Sequence, residues 1–302
     1  MDRIYVMELV RSLQMGQIGR REFVKRATVA IGSATAATAL LTACERKTSD
    51  ETPEPVVDAR KSSLGMAQKD SEAGLQTEIA SYPHLDDASK SLNGYLAFPD
   101  KDGSFPGIIV IQEWWGLDGH IKDVTRRLAR EGYATLAPDL YHGAVTTEPD
   151  AARKLVMQLD LPNAVREIQS AITYLLSQSE TKGPKVGIVG FCMGGRLVFE
   201  TTLVENRLAA AVPFYGLLAD PQQAKQVKAP LLGLYGALDQ GIPVDKINAV
   251  QKALTESGIV NKFKIYDGAG HAFFNDTRPT GYNADTAKDA WKETLTWFKR
   301  YL

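Results

Sequence analysis

From about residue 76 the chain alternates short apolar runs with stretches of helical spacing. Residues 108–111, 134–137, 186–189, 208–214, 231–235 and 263–266 have the length and β-branched or aromatic character of buried strands. Residues 91–98 read as a further strand, closed by a polar turn at 99–103. Between these runs, 122–130, 151–158, 164–176, 244–256 and 285–302 carry helical periodicity. Gly132 is placed to end the first helix, and Pro162 separates the second from the third. Apolar strands alternating with amphipathic helices predict an α/β fold, a mostly parallel central sheet with helices on both faces. In such sheets ligands bind beyond the carboxyl ends of the strands.

The pattern before residue 76 is different. Residues 45–75 are polar and proline-containing, with too few apolar side chains to offset the entropy of ordering them, so a disordered tether is expected. Residues 27–43 form a weakly hydrophobic Ala/Thr-rich run. Ahead of it, Arg20-Arg21-Glu22-Phe23 resembles a twin-arginine export motif, although the lead from Met1 to Gly19 is long for one. Behind it, Leu41-Thr42-Ala43-Cys44 resembles a lipobox, at which bacterial lipoproteins are cleaved and the new terminal cysteine lipidated. The resulting expectation is an export signal over 1–44, a tether over 45–75 and a catalytic domain over 76–302. The protein would be exported to the periplasm or envelope and would meet the membrane only through lipidated Cys44. A net charge of −1 gives no electrostatic case for nucleic acid or an anionic surface. Two cysteines, Cys44 and Cys192, exclude a disulfide framework.

The most informative stretch is Gly190-Phe191-Cys192-Met193-Gly194-Gly195. A strand, a sharp turn carrying a nucleophile and a following helix make the nucleophile elbow, here with Cys in place of Ser. The neighbours must be small because the nucleophile's backbone is strained. The helix N-terminus favours thiolate over thiol. The competing explanation is a glycine-rich turn around an inert buried cysteine.

Two further loops hang at strand ends. Asp239 lies in 236–243 and His271 in 267–273, giving the chain order nucleophile, acid, base of an α/β-hydrolase triad. Asp239 could instead cap the helix near Val244, and Asp267 is a second acid, better suited to bracing the turn before His271. Of the other histidines, His84 lies near the tether, His120 enters a helix and His142 sits in a turn. Gln112-Glu113-Trp114-Trp115-Gly116 follows another strand. Glu113 is either a helper carboxylate or a cap for the helix that begins near Asp118. The backbone N–H groups of Trp114 and Met193 stand where this fold draws its oxyanion hole.

Together with 132–141, these motifs resemble the dienelactone hydrolase family over roughly residues 91–302. The resemblance implies an α/β-hydrolase fold and a Cys192–Asp239–His271 triad. It also implies a glutamate, Glu113, that controls the resting thiol. It implies opening of an unsaturated lactone, carboxymethylenebutenolide, to maleylacetate or hydrolysis of a related ester, with no cofactor and no metal. The family's substrate-binding arginine after the histidine is not matched: Asn275 stands near that place and Arg278 further on. A monomer acting on a small ester or lactone is expected, the alternative being a non-catalytic lipoprotein that binds a small molecule in the crevice.

Overall fold

The computed structural model describes residues 70–217 and 220–302, together with Arg21, Val24, Lys25, Ala27 and Thr28. The chain divides into two units, Met1–Gly65 and Met66–Leu302. In the first, the five described residues are helical. Arg20, the lipobox with Cys44, and the tether as far as residue 69 lie outside the described residues.

The second unit runs β1 (Asp70–Glu72), β2 (Leu75–His84), β3 (Asp87–Pro99), β4 (Phe105–Ile111), α1 (Gly119–Arg130), β5 (Ala134–Pro138), α2 (Pro149–Gln158), α3 (Leu161–Ser177) and β6 (Thr181–Phe191). It continues with α4 (Met193–Val204), β7 (Leu208–Phe214), β8 (Leu231–Gly236), α5 (Val244–Glu256), β9 (Asn261–Tyr266) and α6 (Ala284–Tyr301). Among the described residues nine strands form one sheet, in the order β1-β2-β3-β5-β4-β6-β7-β8-β9. Strands β4 to β9 are parallel to one another, and β1 to β3 form an antiparallel edge joined to β5. This is the α/β-hydrolase fold.

The apolar runs are strands because both of their faces are covered. In β4, Ile109 and Ile111 join one core with α3, α4 and α5, while Ile108 and Val110 join the other with α1 and α6. All four are fully buried, and each contributes about 1.5–3 kcal/mol by leaving water. The helices start where the sequence supplies caps. The Asp118 carboxylate accepts the Ile121 N–H of α1 at 3.0 Å, and Asp160 does the same for Asn163 of α3 at 3.1 Å. Pro162 therefore lies inside the first turn of α3, where its missing N–H costs nothing. Gly132, at φ 95°, takes the left-handed position just after α1. Among the described residues no helix is long and apolar enough to cross a membrane.

The tether boundary needs correction. β1 begins at Asp70 and pairs with residues 75–77 of β2, and Leu75 is buried, so ordered sheet starts before residue 76. Backbone pairing across the Gly74 turn fixes this edge, together with Leu75 packed against Ala97 and Ala129. His84 belongs to β2 and is itself buried.

Candidate active site

The parallel register brings four loops to one edge of the sheet. At the end of β6 the chain turns through Cys192, whose φ of 55° and ψ of −114° are strained for a residue with a side chain. Such a conformation costs about 1–3 kcal/mol and persists only where its surroundings enforce it. Here the enforcement is close backbone packing. A Cβ on Gly194 would lie 2.5 Å from the carbonyl oxygens of Ile111 and Gln112, and one on Gly195 would lie 2.6 Å from that of Phe214. The Cys192 N–H donates to the Phe214 carbonyl at 3.1 Å. The elbow is thus wedged between the ends of β4 and β7, with Cys192 half-buried at the start of α4 and its thiol free.

His271 follows β9, and its Nδ1 lies 2.7 Å from Oδ2 of Asp239. Asp239 is buried, and its Oδ1 accepts the Gly241 N–H at 2.9 Å, so both carboxylate oxygens are held. Asp239 does not cap α5, whose N-cap is Pro243. Asp267 is exposed. Burial pulls the imidazole's pKa down. Its hydrogen bond to Asp239, its interaction with the Cys192 sulfur and the negative charge on both more than offset this and push it up to about 10. His271 and Asp239 are therefore in contact, and Cys192 is close enough for its charge to raise the pKa of the imidazole. This arrangement can draw a proton off the sulfur and keep it on the ring.

Glu113 follows β4 and is almost fully buried. Its Oε1 accepts the Tyr215 hydroxyl at 3.1 Å and its Oε2 accepts the Asn275 amide at 2.6 Å. Burial raises its pKa, against the pull of nearby His120 and of these two hydrogen bonds. It is no helix cap, since Asp118 fills that role. Glu113 reaches the His271 side of the site through Tyr215, which donates to its carboxylate and packs on the His271 ring. Trp114 and Trp115 pack edge to face with centroids 4.8 Å apart, and the guanidinium of Arg278 lies over the Trp115 ring at 3.4 Å. The close approach of Gly194 to the Ile111 and Gln112 carbonyls sets the 112–114 loop beside the start of α4.

Three residues join the site without having been assigned a role in it from sequence, and of these Tyr215 was not singled out at all. Tyr215 follows β7 in a left-handed conformation, φ 36°, fully buried, with its ring 5.1 Å from that of His271. Asn275 holds Glu113. Tyr141 directs its hydroxyl to the Met193 sulfur at 3.1 Å. Tyr215 was findable by the rule that exposed Cys192, because it too directly follows a parallel strand, with a glycine, Gly216, in its turn. His142 lies off the triad, its Nε2 3.4 Å from Glu167.

A protein-family model described as "Dienelactone hydrolase family" matches residues 92–302. The chain is 37% identical over 222 residues to the Methylorubrum extorquens protein named "Putative carboxymethylenebutenolidase", covering 68% of this chain and 76% of that one. It is 35% identical to "Protein usf" of Aquifex pyrophilus, covering 70% and 94%. Among solved structures it resembles a Klebsiella pneumoniae protein titled as a putative dienelactone hydrolase, with TM-score 0.69, 31% identity and coverage of 75% and 99%. The chain belongs to the dienelactone hydrolase family. It is accordingly a hydrolase with an α/β-hydrolase fold, of a family that takes small-molecule esters.

Proposed function

We propose that this protein hydrolyses lactones or activated esters with Cys192 as nucleophile, and that it is exported as a monomer anchored through lipidated Cys44. The observation that carries the catalytic reading is the 2.7 Å hydrogen bond between His271 and Asp239, beside the strained elbow of Cys192, whose charge raises the pKa of the imidazole. His271 accepts the thiol proton, and the thiolate attacks the substrate carbonyl carbon. The oxyanion is received by the backbone N–H groups of Met193 and Trp114. As the tetrahedral intermediate collapses, the C–O bond breaks and the imidazolium returns its proton to the leaving alkoxide. The acyl group remains on sulfur as a thioester. His271 then takes a proton from water, which attacks the thioester and releases the carboxylic acid and the thiol. In a lactone the alcohol and acid stay in one molecule. A thioester forms more readily from an activated ester or lactone than from an amide, so esters and lactones are the expected substrates.

The names of the relatives make carboxymethylenebutenolide the first substrate to try. The deciding experiment is turnover of that dienelactone, simple lactones and p-nitrophenyl esters by the chain without residues 1–44. It is compared with Cys192→Ala, which abolishes turnover if the reading is right; full activity in that variant removes it. The anchoring reading is supported by the order of Arg20-Arg21, the apolar run and Cys44. Palmitate labelling of the full chain and of Cys44→Ala, with fractionation, tests it. Equal label in both sinks it. Sedimentation of the soluble chain tests the monomer.

A further inference from the structure

A cavity of about 390 Å³ lies between the β2–β3 hairpin, the turn after β5 and the first turns of α3, lined by His84, Lys90, Leu92, His142, Asn163 and Glu167. It shares no lining residue with the site around Cys192, and its volume falls in the range of about 300–1,000 Å³ typical of small-molecule pockets. Its walls are tied together by the protein itself. The Leu85 N–H donates to Ser170 Oγ at 2.9 Å and Arg166 Nε donates to Asp86 at 2.7 Å, which holds the hairpin to α3. The Asp139 carboxylate accepts the Tyr141 and Gly143 N–H groups at 3.2 and 2.6 Å, which sets the turn and leaves His142 at φ 51°. In the hairpin the register jumps between Pro83, opposite Ser91, and His84, opposite Asp87. Irregularities of this kind re-aim side chains.

Two buried polar groups of the lining are incompletely satisfied. His84 is 7% exposed, and its Nδ1 accepts the Asp86 N–H at 3.1 Å. That uses the lone pair of a neutral imidazole, so the ring proton sits on Nε2. Among the described residues this N–H has no partner. Glu167 is 4% exposed. Its Oε1 accepts the Asn163 amide at 2.7 Å and lies 3.4 Å from His142 Nε2, while Oε2 makes no hydrogen bond among the described residues. A buried carboxylate gains from each further donor. The lining also selects the chemistry of a ligand. A metal ion needs lone pairs, and His84 has spent its own; among the described residues no three His, Cys, Asp or Glu side chains are placed to hold an ion. A free carboxylate or phosphate would face Glu167, and an ammonium would face Lys90 and the His84 N–H. A hydroxyl accepts from an N–H and donates to a carboxylate at once. Leu92 supplies an apolar wall for the carbons that carry it.

We propose that this cavity is a second small-molecule site, for a neutral polyhydroxy compound of the size of glycerol or a monosaccharide, a hydroxyl of which donates to Glu167 Oε2 and accepts from His84 Nε2–H, with His142 and Lys90 at the rim. His84 Nε2 has almost no open surface, so the ligand meets it with a small side-chain adjustment of the kind common on binding. The proposal does not depend on Cys192 being the nucleophile, nor on which ester or lactone is hydrolysed.

The test is NMR that correlates ring nitrogens with ring protons in the full chain, which has only four histidines to assign. His84→Phe and His142→Ala assign the two that matter. The parent spectrum should show His84 with its proton on Nε2 and a bare Nδ1. Glycerol, D-glucose, D-xylose and myo-inositol are then titrated in, beside sodium acetate, ethylammonium chloride and zinc chloride. At least one polyol should move the His84 and His142 resonances saturably and leave those of His120 and His271 in place. Glu167→Leu, which keeps the bulk and removes the carboxylate, should weaken that Kd by about tenfold or more, the worth of one hydrogen bond to a charged acceptor. The parent titration decides alone should that variant not fold. The proposal is overturned if no polyol saturates the two resonances, or if His271 moves with them. It is also overturned if acetate, ethylammonium or zinc saturates them more tightly than any polyol. A His84 proton found on Nδ1, or a folded Glu167→Leu that binds the polyol as the parent does, overturns it equally.

Discussion

Two buried carboxylates stand in this site, and they are solvated in different ways. Asp239 faces an imidazole at 2.7 Å, and its other oxygen takes a backbone N–H. Glu113 faces two neutral donors, a phenol and an amide. The first arrangement raises the proton affinity of its partner, and the second leaves the carboxylate itself with a raised pKa because burial is incompletely offset. In the mechanism proposed above, Asp239 acts through the base, while Glu113 acts through the field and packing around Tyr215. Substituting each by its isosteric amide separates the two roles.

The largest effect is expected at Asp239. Asp239→Asn keeps the shape but offers His271 an amide, which can stabilise neither the imidazolium nor the required tautomer. Turnover of a p-nitrophenyl ester should fall by roughly 10²- to 10⁴-fold, the range seen when this element of a triad is neutralised. Steady-state kinetics measures it, and a loss under threefold would remove Asp239 from the mechanism. Stability gives a second reading. The folded His271 has its pKa raised from the ordinary 6.5 to about 10. It therefore contributes stability that is fully present below pH 6.5 and lost as pH rises through 10. The Tm gap between the parent and Asp239→Asn should be widest near pH 6 and should close above pH 10.

What could be read from sequence divides along the same line. Cys192, Asp239 and His271 each end a parallel strand inside a small-residue turn, and short-range spacing carries that signal. Strands β4 to β8 were legible for a related reason: the burial of their central residues on both faces leaves continuous apolar runs. β2 was not legible. Its burial alternates through Leu75 and Thr77 and then slips to Ala80, Tyr82 and His84, leaving Ile79 exposed. A strand held mainly by pairing to β3 has no clean period of two. The partners of Glu113 were hidden for another reason. Tyr215 and Asn275 lie 102 and 162 residues away in the chain, and only the closed sheet brings them together.

Glu113→Gln should have a smaller effect, of the opposite sign on stability. A carboxyl whose folded pKa is raised contributes stability that is present below its unfolded value and lost as pH rises through the folded one. At pH 4 the parent carries a protonated Glu113 and the amide changes little. At pH 8 the parent holds a buried charge and the variant does not. The variant should therefore melt higher than the parent at pH 8, by about 2–4 °C per kcal/mol of relieved penalty, with the difference fading toward pH 4. Calorimetry across that range decides, and a variant less stable at pH 8 than at pH 4 relative to the parent would mean that Glu113 is fully compensated. Peroxide inactivation of Cys192 in the same variant asks whether Glu113 also protects the thiol, in which case the rate rises.

The smallest effect belongs to Tyr215→Phe. The ring stays, and with it the 5.1 Å edge contact to His271 and the packing against Phe214 and Phe273. The left-handed backbone at φ 36° is imposed by the backbone contact between Gly195 and Gly216, which the substitution does not touch. Only the hydroxyl donated to Glu113 Oε1 is lost. A hydrogen bond to a charged acceptor contributes about 1.5–3 kcal/mol. Here the carboxylate keeps Asn275 at 2.6 Å and can take up a proton, which limits the loss to the low end. Turnover should fall less than about tenfold, because no group in contact with the reacting atoms has changed. The destabilisation should be greater at pH 8 than at pH 4, since the lost donor matters only to an ionised Glu113. In the double variant with Glu113→Gln that pH dependence should vanish. If Tyr215→Phe instead matched Asp239→Asn in its loss of turnover, the phenol would belong with the groups that touch substrate, and the division between the two carboxylates would fail.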